Sequence, residues 1–153
     1  MKQFLATGAL ILGLVCFAVI PSRAGPPTAA GASKLAIEGY DPVAYFADNK
    51  PEKGNEKIQS VYKGRVYYFA LAAHKATFDK DPAKYVPQFG GYCAYGVSQG
   101  HKVTADPTQF LIVDGRLLLQ HSGEACDAFK HDPNGSLEKA DENWANLNTK
   151  LGQ

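Results

Sequence analysis

The sequence is short of sulfur. Three cysteines and one methionine stand among 153 residues. No cysteine pair has the C-x-x-C spacing, which excludes a thioredoxin-type site and a c-type haem attachment. An excess of one charge is also missing. Lys and Arg number 16 against 15 for Asp and Glu, a formal net charge of +1. With no basic run there is no electrostatic footprint for nucleic acid. No Ser-His-Asp order, phosphate loop or paired-carboxylate signature stands out. The four histidines (His74, His101, His121 and His131) have no tight ligand spacing to one another or to cysteine. A composition of 45% hydrophobic and 20% charged residues is that of a globular domain and excludes a disordered or collagen-like chain.

The one long apolar run is at the N-terminus. Lys2 supplies a positive start, Phe4 to Ile20 carries no charge, and Ser22-Arg23-Ala24 fits a small-x-small cleavage site. Residues 1–24 therefore read as an export signal, and the protein is expected to be periplasmic or secreted, with no stable membrane span after cleavage. Cleavage removes Cys16, and loss of Lys2 and Arg23 takes the net charge from +1 to −1. About 125 residues remain, enough for one core. Cys93 and Cys126 then face an oxidising compartment, as a disulfide or as free thiols. Residues 25–34, rich in Gly, Pro and Ala, read as a linker, and 35–151 as the domain.

Within the domain, Asp41-Pro42 is a helix-start signal, and Asp48 to Lys57 reads as an exposed loop. Ile58 to Phe69 predicts a hairpin around Lys63-Gly64. Ala70 to Lys80 predicts a helix burying Ala70, Leu71, His74 and Phe78, stopped by Asp81-Pro82. The phrase returns: Asp114-Gly115-Arg116 answers Lys63-Gly64-Arg65, Phe129 answers Phe78, and Asp132-Pro133 answers Asp81-Pro82, each 51 residues later. Asp106-Pro107 is matched to Asp41-Pro42 as the second head. The expected fold is α+β: two β-hairpin-plus-helix units in one small domain, closed by a C-terminal helix. Leu137, Ala140, Trp144, Leu147 and Leu151 form that helix's apolar stripe after a Ser136 cap. Trp144 is expected to bury most of its area.

Between the units lies Gln88 to Gly100, with four glycines, three aromatics and Cys93. It reads as an ordered, partly buried loop that presents a thiol.

Gly39-Tyr40-Asp41-Pro42-Val43-Ala44-Tyr45-Phe46, then Tyr62-x-Gly64-x-x-Tyr67-x-Phe69, Phe78-x-x-Asp81-Pro82-x-x-Tyr85 and Gly90-Gly91-Tyr92-Cys93-Ala94, resemble in order an exported YHS domain protein. The likeness runs from about Leu35 to Leu147. It implies a small module of the kind found beside heavy-metal-transporting ATPases and in some multicomponent oxygenases. Related metal-handling members carry cysteines at three positions that are Ala44, Ala70 and His74 here, so the resemblance implies the fold more firmly than a metal.

The reading is an exported, non-catalytic binding module, with a role in heavy-metal handling implied by the resemblance. The candidate ligands are Cys93 and His74, with His101 as a further candidate beside the glycine stretch. The ion implied is a soft one such as copper(I), since thiolate and imidazole suit it. A metal ion or a protein is the partner class, and no nucleic acid. Two alternatives stay open: a thiol-dependent redox protein or enzyme centred on Cys93, and a purely structural domain in which Cys93 is packing. Arg65 and Arg116, on equivalent hairpins, are candidates for an anion or for pairing with an aspartate.

Overall fold

The computed structural model describes residues 34–149; the signal segment, most of the linker and Leu151 lie outside them. Lys34, assigned above to the linker, opens a two-residue strand, β1 (Lys34–Leu35), which runs parallel to β3 (Arg65–Phe69). β2 (Asn55–Tyr62) pairs antiparallel with β3, giving the order β1-β3-β2. A separate sheet holds β4 (Asp106–Val113) and β5 (Arg116–Gln120). Both hairpin turns have two residues at positive φ, Lys63 and Gly64 at 47° and 73°, Asp114 and Gly115 at 49° and 70°. That is the turn geometry whose twist matches the strands.

The two hairpins keep one register. Tyr62↔Arg65 to Gln59↔Tyr68 in the first becomes Val113↔Arg116 to Phe110↔Leu119 in the second. Each ladder then slips, to Asn55↔Phe69 and Asp106↔Gln120. Every number in the second set is the first plus 51. Asp41-Pro42 leads into the one-turn helix α1 (Ala44–Ala47). The same offset relates α2 (Ala72–Lys80) to α5 (Gly123–His131), and the starts of α3 (Pro82–Tyr85) and α6 (Pro133–Thr149). α3 stops after one turn because Pro87 disfavours helix at Val86, whose ψ is 142°. α6 runs on for 17 residues.

Helices and hairpins together make the architecture α+β. Phe78 and Phe129, on α2 and α5, are both fully buried. Phe78 belongs to a cluster with Tyr45, Tyr67, Phe69, Leu117 and Leu119, and Phe129 to one with Phe89, Val97, Leu118 and Leu137. β5 joins the two: strand alternation sends Leu117 and Leu119 to one cluster and Leu118 to the other. A strand covered on both faces explains its unbroken apolar run.

Several sequence expectations shift. β2 begins at Asn55, inside the segment read as a loop. Leu71, expected on the buried face of α2, is 54% exposed; His74 and Phe78 hold that face. Asp106-Pro107 opens a strand and heads no helix. Gln88 to Gly100 is more than a loop: a tight turn at Phe89–Gly91 leads to the short helix α4 at Ala94–Ser98. α6 starts at Pro133 rather than after Ser136, because the Asp132 carboxylate accepts from Gly135 N at 3.0 Å. Trp144 buries most of its surface, as expected, with Phe89 and Tyr92 beside its ring. Among the described residues, no helix is long and apolar enough to cross a membrane.

Candidate functional site

The chain enters the first unit through a left-handed turn. Ile37 and Glu38 both have φ of 49°, Gly39 has 81°, and Tyr40 N closes the turn on Ile37 O at 2.9 Å. A β-branched residue in this region costs on the order of 1–2 kcal/mol, so the surroundings must hold Ile37 there. The turn delivers Asp41 into the protein with no exposed surface. Its Oδ1 accepts from Val43 N at 2.8 Å and Ala44 N at 3.4 Å, the local capping that Asp before Pro predicts. Its Oδ2 accepts from Ala70 N, just past β3, and pairs with His74 Nδ1 on α2, both at 2.8 Å. One carboxylate therefore ties together the head, the strand end and α2.

The same bonds set the histidine. Backbone N–H groups donate to both oxygens, so the carboxylate is the acceptor and Nδ1–H donates. Nε2 is the ring nitrogen that Asp41 does not engage. It lies 3.9 Å from Asp48 Oδ2, too far for a hydrogen bond. His74 borders a groove formed with Val43, Phe46, Ala47, Thr77, Lys84 and Tyr85. A buried carboxylate behind a ring whose other nitrogen is free is the outer-shell arrangement of metal-binding histidines.

The three positions where the resemblance places cysteines do meet, around Asp41. Ala44 and Ala70 give it backbone N–H groups and His74 gives its ring. Two methyl groups and one imidazole do not fit a soft-metal centre, which needs thiolate or thioether donors. Among the described residues, no group of three or more His, Cys, Asp or Glu side chains is arranged to hold a metal.

Cys93 occupies the corresponding station of the second unit. A second left-handed turn (Phe89, Gly90 and Gly91 at 52°, 62° and 83°) precedes it. Tyr92 bridges Thr104 as Tyr40 bridges Lys53, and Cys93 N donates to Val103 O as Asp41 N donates to Glu52 O. Asp41 in one unit is thus answered by Cys93 in the other, not by Asp106. Cys93 is 2% exposed. Its thiol donates to Gln120 Oε1 and its sulfur accepts from Gly96 N, both at 3.4 Å. Gln120 Oε1 also takes Tyr95 N at 3.1 Å. The polar partners of Cys93 and those of His74 have no member in common.

The remaining candidates are apart from both. Cys126 is buried on α5 with its sulfur 4.0 Å from Gln109 Oε1. Burial pushes its thiol pKa up, away from thiolate. Cys93 and Cys126 are free thiols. His101 is exposed, and its backbone N–H bonds Gly96 O. His121 is exposed with Nδ1 on Thr104 O at 2.8 Å, and His131 is exposed. Sequence reading missed Asp41 as His74's partner, Asp48 beside Nε2, and Gln120 as the clasp on Cys93. Only Asp41 carried a signal, as the residue before Pro42.

Compared with known proteins, the chain matches no family model, no curated protein and no solved structure.

Proposed function

We propose that the chain is an exported, non-catalytic binding module of the YHS type, and that its part in metal handling runs through His74. The observation that carries this is the Asp41–His74 pair, which holds the ring by Nδ1 beside a groove that His74 borders and leaves Nε2 unengaged by Asp41. The oxygens of Asp41 are occupied by four nitrogen donors, which suits a positioning role and not proton transfer. Asp48, 39% exposed, stands 3.9 Å from Nε2. Two ligands of one zinc ion lie at most roughly 4.2 Å apart. An imidazole with a carboxylate suits a borderline divalent ion better than copper(I), and two protein donors suit exchange better than storage.

The thiol-centred alternative has less support. Cys93 is enclosed and hydrogen-bonded within the fold, and burial works against thiolate at Cys126. Calorimetric titration with zinc tests the choice. His74→Gln should abolish measurable binding and Cys93→Ser should leave it unchanged. Zinc binding that survives His74→Gln, or that Cys93→Ser removes, would overturn the reading.

A further inference from the structure

The two arginines that follow the hairpin turns have different fates. Arg116 pairs with Val113 and Arg65 with Tyr62 in the same register. Arg116 holds a carboxylate in a two-pronged grip: Nη1 donates to Asp141 Oδ2 at 2.8 Å and Nη2 to Asp141 Oδ1 at 2.7 Å. Nη2 also reaches Gln88 Oε1 at 3.2 Å, and the guanidinium lies 5.6 Å from the centre of the Phe89 ring. A planar fork against a carboxylate, beside an aromatic ring, is the recognition that guanidinium is built for.

Asp141 comes from α6, and the first unit has no equivalent. Its α3 ends at Tyr85, before a carboxylate-bearing turn could reach Arg65. Among the described residues, Arg65 has no hydrogen bond from its side chain and no ion pair. It is half-buried and borders a groove of about 370 Å³ with Tyr62, Lys63, Tyr67, Pro87 and Trp144. The groove lining has two cations and no acid. Glu38 lines the neighbouring cleft that Arg65 also borders, without pairing to it. Gly90 keeps the groove close against Trp144: a Cβ there would stand 3.3 Å from the indole Cη2. Its size is at the lower end of small-molecule sites, roughly 300–1,000 Å³.

We propose that this groove binds a small carboxylate with a planar apolar body, its carboxylate gripped by Arg65 as Asp141 is gripped by Arg116. Lys63 adds attraction, and the rings of Tyr62 and Trp144 receive the flat body. The site does not involve His74, so its failure leaves the metal reading untouched.

Trp144 is the single tryptophan and lines the groove, so its fluorescence reports occupancy. The purified protein is titrated with phenylacetate and, in parallel, with the neutral phenylacetamide. The expected result is a saturable change with the acid that the amide reproduces at least about ten-fold more weakly, the loss of one charge-assisted contact. Arg65→Gln should weaken phenylacetate by a similar factor, and Arg65→Lys by less. Equal binding of acid and amide, absence of a saturable response, or undiminished binding by Arg65→Gln would each overturn the proposal. The acid–amide comparison on the native protein decides even if the variant fails to fold.

Discussion

Removing the Asp41 carboxylate should be among the most damaging single changes available. Asp41→Ala leaves Val43 N, Ala70 N and His74 Nδ1, each now 2.8 Å from an acceptor, without that partner, and Ala44 N loses a longer bond. A buried donor left unsatisfied costs about 1–3 kcal/mol. The four act as one network, so their costs do not simply add. Three buried donors lose a 2.8 Å acceptor together, so the expected loss is about 3–5 kcal/mol, more than any one of them would cost alone. Domains are stable by only about 5–15 kcal/mol, so roughly a fifth or more of the total is at stake. Urea unfolding followed by circular dichroism measures it. With a slope of about 2 kcal/mol/M the midpoint should fall by roughly 2 M, at an unchanged slope. Asp41→Asn separates shape from acceptor capacity. Its amide NH₂ must face either Val43 N–H or Ala70 N–H, so about 1–3 kcal/mol should be lost with the packing kept. A loss under about 1 kcal/mol in Asp41→Ala would refute the idea that this carboxylate staples head, strand and helix together.

Three further perturbations have defined outcomes. The Arg116 bond holds the Asp141 carboxyl below the usual carboxylate range. The pair therefore adds stability above the unfolded value near about pH 4, lost as pH falls through the folded value. Asp141→Asn should flatten the stability–pH curve on that acid side. At neutral pH it should cost no more than about 1 kcal/mol, since the carboxylate side chain is 49% exposed; an unchanged acid slope contradicts it. Trp144→Ala should cost about 3 kcal/mol by chemical denaturation, the low end of the range for a buried aromatic, because the indole buries most but not all of its surface, beside Phe89 and Tyr92. Gly54→Ala should destabilise by about 1–3 kcal/mol, since its Cβ would collide with the backbone of Tyr68 and Phe69; a neutral thermal melt would show that β3 can move away.

The elements that sequence reading recovers are those written in neighbouring residues. Lys63-Gly64 and Asp114-Gly115 announce their turns because few residues tolerate two positive φ values in succession. Asp81-Pro82 and Asp132-Pro133 end α2 and α5 for an equally local reason. The contacts that make the site are not local. Asp41 and His74 are 33 residues apart, and nothing beside either residue names the other. The second head escaped for a different reason. Asp106-Pro107 repeats a dipeptide, whereas the shared station joins Asp41 to Cys93, two residues without chemical likeness. Gly96 looked like loop freedom around a presented thiol. In the structure it is there because a Cβ would meet Val103 Cγ2 at 2.9 Å.

The central claim is that Asp41 fixes His74 so that Nε2 alone is available to a metal. Proton–nitrogen correlation spectra of the histidine rings during a zinc titration address it directly. The account predicts a protonated Nδ1 on His74 before zinc is added, and a change at His74 Nε2 as zinc binds, with His101, His121 and His131 unmoved. A His74 ring that carries its proton on Nε2, or that stays silent while zinc binds elsewhere, would contradict it.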